Sequence, residues 1–91
     1  MNVIRFRSKV VEVEAVQFDG KNGSDIQAWT TQREIQAYDG GIMIETLEGP
    51  FKASPGDWIV RGLKGEFYPV KPDIMQMKYE RVEELAPFLD V

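Results

Sequence analysis

The sequence predicts an α+β domain: a strongly bent antiparallel sheet of five to six strands, open or rolled into a partly open barrel, with two short helices. Three observations carry this reading. Apolar and polar residues alternate at the two-residue period of strands in several short stretches. Turn-forming corners at 39–41, 48–50, 54–57 and 62–65 break the chain between them. Only 24–31 and 72–79 combine helix-start chemistry with apolar residues at helical spacing. The 91 residues are 43% hydrophobic and 29% charged, which suits one folded core and argues against disorder. One domain over 1–91 is expected, with 1–8 and 82–91 as flexible or interface-forming tails.

Residues 9–18 read as the first strand, where Val11, Val13 and Ala15 alternate with Val10, Glu12 and Glu14. After Ala15 the phase changes, because Val16 and Phe18 are the next large apolar residues. Either both faces are covered there or a β-bulge re-aims the strand, and the bulge is preferred. Residues 19–23 break the strand. Ser24 with Gln27 three residues on has the pattern of a capping box, and Ile26 and Trp29 share one helix face. Ile35 and Ala37 mark a strand over 34–38, the Asp39-Gly40-Gly41 corner turns it, and 42–47 returns.

Residues 51–53 form a short strand. Ser54-Pro55-Gly56-Asp57 has proline second and glycine third, the composition of a type II turn. Residues 58–61 and 66–70 are hairpin partners around 62–65, and Pro69 places the second at an edge or ends it there. Pro72 and Asp73 open the second helix, with Ile74 and Met77 on one apolar side. The first helix is expected to pack across the sheet by Ile26 and Trp29, and the second to cover an edge or an open end. Residues 82–91, with Leu85, Phe88 and Leu89, read as a tail that docks as a helical turn or frays.

Composition excludes more than any motif supports. Cysteine is absent, which removes disulfides, thiolate chemistry and cysteine-based zinc or iron–sulfur sites. Histidine is absent too, and with it the commonest general base and metal ligand. No catalytic residue, cofactor or metal ligand is assigned, and binding is expected in place of catalysis. A net charge of −4 makes nucleic acid an unexpected partner. No stretch approaches the roughly 20 apolar residues of a membrane helix, and 1–9 lacks a signal-peptide core, so a cytoplasmic location is expected.

Residues 55–74 read P-G-D-W-I-V-R-G-L-K-G-E-F-Y-P-V-K-P-D-I. This resembles a segment shared by a family of small uncharacterised phage and prophage proteins. Residues 7–18, R-S-K-V-V-E-V-E-A-V-Q-F, resemble that family's basic lead into a V-x-V-E-A-x-Q-aromatic strand. Residues 42–54 are similar to its hairpin before the P-G-D turn, and the likeness spans about residues 5–80. It implies a phage-derived protein acting inside a bacterial cell, of a class that disables host machinery or defences. It implies no catalytic residues, and family context carries no mechanism.

The best candidate binding surface is Arg61, Lys64, Glu66, Tyr68 and Lys71. Arg61 and Lys64 suit a phosphate or a partner's carboxylate, and Tyr68 suits stacking or a pocket. Each also fits an ordinary hairpin with charges for solubility. Lys71, before Pro72, fits an anion site beside a helix start or a solvated strand end. Asp57 and Asp73 read as groups that satisfy backbone N–H. Arg5, Arg7 and Lys9 read as charge protecting an edge strand, and Glu80, Glu83 and Glu84 as a solvated helix face rather than a phosphate mimic. The expected partner is a host bacterial protein. The alternatives are a sponge for a small anionic nucleotide and a virion structural or assembly accessory, with self-association compatible with each.

Overall fold

A computed structural model of the chain describes residues 1–7, 12–30, 35–38, 40–46 and 48–87. Their order is β1 (Asn2–Arg7), β2 (Glu12–Gln17), α1 (Gly23–Thr30), β3 (Ile35–Tyr38), β4 (Gly41–Thr46), β5 (Gly49–Ala53), β6 (Trp58–Arg61), β7 (Phe67–Val70), α2 (Pro72–Lys78) and β8 (Glu80–Pro87). The α+β class and the two short helices are as expected. The strands form two antiparallel sheets, one of five in the order β7-β6-β2-β1-β8 and one of three in the order β3-β4-β5. Neither closes into a barrel. Among the described residues no helix is long and apolar enough to cross a membrane.

Alternation along β2 builds the core. Val16 and Phe18 join Ile26 and Trp29 of α1 with Ile35, Ile42, Ile44 and Ala53 of the small sheet. Val13 and Ala15 face the other way and pack with Ile4, Phe6, Trp58, Val60 and Met75 of α2. The five-stranded sheet is thus covered on both faces, by α1 and the small sheet on one and by α2 on the other. That explains the change of phase after Ala15. The ladder runs unbroken from Glu14↔Arg61 through Ala15↔Val60 and Val16↔Ile59 to Gln17↔Trp58, so the expected bulge is absent.

The described parts of both expected tails belong to strands. β1 lies between β2 and β8, and β8 pairs along it from Asn2↔Pro87 to Arg7↔Glu80 with two register shifts. β1 is therefore interior and β8 is the edge. Each satisfies the other's backbone groups across most of the chain's length, a pairing that local sequence does not report. Arg5 sits in this ladder, 3.9 Å from Glu12. Glu80, Glu83 and Glu84 belong to a strand, in place of the expected helix face. Lys9 and residues 88–91 lie outside the described residues, as do 31–34, Asp39 and Leu47.

α1 begins one residue before the expected cap. Ile26 N–H donates to Asn22 O at 3.0 Å, so the chain enters the helix at Asn22 and not at Ser24. The reason is an interlocked loop. Asp19 Oδ1 accepts from Lys21 N–H and Asn22 N–H, Asn22 Oδ1 accepts from Asp19 N–H, and Asn22 Nδ2 donates to Gln17 O. Gly23 then passes close to β3, where a Cβ would meet Ala37 Cβ at 3.1 Å. The 54–57 turn forms as expected. Gly56 has φ 100°, and Asp57 N–H donates to Ser54 O at 3.0 Å.

Candidate functional site

The five residues of the candidate surface do not converge. Arg61 is committed to the fold: Nη1 donates to Glu14 Oε1 at 2.9 Å and Nη2 to Trp29 O at 3.2 Å. Its guanidinium lies 4.7 Å from the Trp29 ring centre and 5.3 Å from that of Phe67. Those rings meet edge to face at 5.6 Å, so Arg61 ties the last turn of α1 to the sheet and caps an aromatic pair.

Lys71 Nζ lies 3.0 Å from Asp57 Oδ2 and 3.1 Å from Oδ1. Asp57 is only 3% exposed and also accepts Ser54 N–H at 2.9 Å. It holds the turn and anchors the residue before α2, the backbone role expected for it. Asp73 is exposed in the first turn of α2. Lys64 is exposed in the 62–65 turn, at the opposite end of the β6–β7 hairpin from Lys71. Arg61, Lys64 and Lys71 therefore share no anion pocket.

Tyr68 lies on the α2 side, half-buried and packed against the cluster there. Burial raises its phenol pKa strongly, and its hydrogen bond to Tyr79 and the neighbouring Glu66 carboxylate add to the rise. Below about pH 10 the folded and unfolded chains both keep this proton. Above that, the unfolded chain releases it while the folded chain retains it, so stability falls as pH rises. Between pH 8 and 11 the urea midpoint of the wild type is expected to fall more steeply than that of Tyr68→Phe. Parallel slopes would refute that role for Tyr68.

A concave feature lies between the two sheets. It is a groove of about 660 Å³ lined by Ile35, Ile44, Glu45, Thr46, Glu48 and Phe51 of the small-sheet side and by Glu66, Phe67, Tyr68 and Pro69 along β7. Its origin is geometric. Ile44↔Phe51 and Ile42↔Ala53 are register pairs, so Phe51 shares the inward face of the small sheet with Ile42, Ile44 and Ala53, all fully buried. Phe51 is nonetheless 42% exposed, because β7 is the last strand of the large sheet and covers the small sheet only in part. Ile35, Ile44 and Phe67 form a buried apolar floor. Thr46 shapes the β4–β5 turn, donating to Gly49 O at 2.8 Å and accepting Glu48 N–H at 3.1 Å.

Among the described residues the charged members of its lining are Glu45, Glu48 and Glu66. Of the five candidate residues, the structure places Glu66 and Tyr68 here and the three cations elsewhere. Sequence reasoning missed Phe51, Ile44, Glu45 and Glu48 as site residues. The available signal was the 49–53 register, which sets a phenylalanine opposite Ile44 on the inward face. In comparisons with family models, with curated proteins and with solved structures, nothing matches the chain.

Proposed function

We propose that this chain is a phage- or prophage-encoded binding protein that acts in the bacterial cytoplasm and seats a segment of a host protein in the groove between its two sheets. The observation that carries the reading is Phe51, an inward-facing aromatic left 42% exposed above a buried apolar floor. Half-covered aromatics in concave apolar sites are the usual anchors of protein recognition. The resemblance of residues 55–74 to small phage proteins supplies the host context. The groove contains no histidine or cysteine to support acid–base or nucleophilic chemistry, which favours recognition over turnover. A nucleotide sponge draws less support, since Arg61 and Lys71 are engaged with Glu14 and Asp57.

Affinity capture from bacterial lysate tests this. The wild type is expected to retain a stoichiometric protein partner. Phe51→Lys and Glu48→Lys should each lose it while keeping the wild-type melting curve, and Lys64→Glu should keep it. Capture that survives both groove substitutions and fails with Lys64→Glu would move the site to the hairpin turn and overturn the reading.

A further inference from the structure

We infer that the Asn22-Gly23 pair is a self-modification site that the fold holds closed. A transient opening of the start of α1 lets it deamidate, and the aspartyl or isoaspartyl link that results no longer fits the closed loop.

The chemistry follows from the pair itself. The chain has two asparagines, Asn2 and Asn22, and Asn22 is the one followed by glycine. Gly23 has no Cβ, so its backbone nitrogen meets little hindrance in reaching the amide carbon of the preceding side chain. Attack forms an N–Cγ bond and breaks the Cγ–Nδ2 bond. Nδ2 leaves as ammonia, taking the proton of the Gly23 N–H, and a cyclic imide remains. Water then opens the ring. Addition at Cγ gives aspartate. Addition at the backbone carbonyl carbon gives isoaspartate, whose main chain runs through the former side chain and is one carbon longer. Water enters, ammonia leaves, and nothing is oxidised or reduced.

The folded chain opposes the first step in two ways. Attack requires the Asn22 side chain to turn toward the Gly23 nitrogen, yet both ends of that side chain are held. Oδ1 accepts Asp19 N–H at 3.0 Å, and Nδ2 donates to Gln17 O at 3.0 Å. The Asn22 N–H is held as well, donating to Asp19 Oδ1 at 2.9 Å. Gly23 is buried, and a Cβ there would meet Ala37 Cβ at 3.1 Å and Phe18 Cε1 at 3.7 Å, so the backbone has little room to swing. The same contacts explain why the pair is there. Asn22 closes the loop with donor and acceptor together, Gly23 allows the close approach to β3, and their adjacency creates the site.

The lock is local. Its bonds join residues 17–22, at a loop and a helix start, where opening costs less than unfolding the whole domain. Reaction spoils the lock. Aspartate at 22 sets an oxygen against Gln17 O where Nδ2 donated, beside the Asp19 carboxylate. In isoaspartate the carbonyl that accepts Ile26 N–H leaves the main chain, and the added carbon shifts Gly23 from its fit against Ala37.

The test follows deamidation of the full chain in mildly alkaline buffer, folded and in unfolding urea, by mass spectrometry of the digested protein. The folded chain is expected to react at Asn22 about thirtyfold more slowly than the unfolded one, as two ordinary hydrogen bonds on the side chain give. Asp19→Ala should speed the folded reaction about fivefold, the effect of one such bond. Val60→Ala, which removes buried packing on the α2 side, should leave the rate within about twofold, because the opening is local. The isolated product should show a lower urea midpoint than the unreacted chain and faster hydrogen exchange at the Ile26 amide. Equal rates in folded and unfolded wild type would overturn the inference. So would acceleration by Val60→Ala as large as that by Asp19→Ala, or a product that keeps both the unreacted midpoint and the protection of Ile26.

Discussion

Phe18→Ala is expected to lower the stability of the domain by about 3–5 kcal/mol, the usual cost of deleting a buried phenylalanine from a packed core. Phe18 is 1% exposed and sits where β2, α1 and the small sheet meet. It also continues β2 beyond its last ladder pair. Its N–H donates to Asp57 O at 2.9 Å, and its carbonyl accepts Gly56 N–H at 2.7 Å. The backbone bonds survive truncation, so the loss is one of packing: a cavity opens under α1, and Gly23 opposite has no side chain to fill it. A chain of this length has roughly 5–14 kcal/mol of stability in all. The urea midpoint should therefore fall by about 2–4 M. A fall below about 0.5 M would mean that the core collapses around the gap, and that the packing described is not what holds the small sheet to the large one.

Asp57→Ala carries the second largest expected effect, about 2–3 kcal/mol, the range for losing hydrogen bonds to a buried charged group. The carboxylate is buried and accepts both Ser54 N–H and the Lys71 ammonium. Removing it leaves the backbone donor of the turn without its partner and releases the chain entering α2. Asp57→Asn should cost less, since an amide oxygen still accepts from Ser54. Lys71→Met should cost less again, because the ammonium is largely exposed and water takes its place at the carboxylate. Equilibrium urea unfolding of the three variants gives the order directly. A larger loss from Lys71→Met than from Asp57→Ala would show that the ion pair, and not the turn, is the important element.

The segments legible in the sequence are those in which local chemistry and global fold agree. Trp58–Arg61 is legible with its observed bounds because the β-prone Trp58, Ile59 and Val60 lie between a proline–glycine turn and a glycine-rich loop. Pro69 marked an edge strand because it cannot donate to a ladder, and β7 is an edge. Pro72 opened α2 for the same local reason. What could not be read locally depended on distant partners. Leu85, Phe88 and Leu89 have helical spacing, yet Glu80–Pro87 is a strand because β1 offers it a ladder. Ser24 and Gln27 match a capping box, but the Asp19–Asn22 loop brings the helix in earlier. A bulge after Ala15 was one of two explanations for its change of phase, and coverage of both faces, decided by α2 and the small sheet, is the one that holds.

The candidate site divides along the same line. Glu66 and Tyr68 were legible as hairpin residues with chemistry to offer. Arg61 and Lys71 looked equally available, but their partners, Glu14 and Asp57, lie 47 and 14 residues away in the chain. The groove itself has no linear signature. It exists because the small sheet extends beyond the edge at β7, and Phe51 acquires its role only from that overlap.

Calorimetric titration of the captured host protein against the wild type, Phe51→Lys and Lys64→Glu tests the groove most directly. Binding is expected to weaken about 30-fold or more with Phe51→Lys, the loss typical of a central anchor, and to stay within about twofold with Lys64→Glu. Undiminished affinity of a fully folded Phe51→Lys variant would contradict the account.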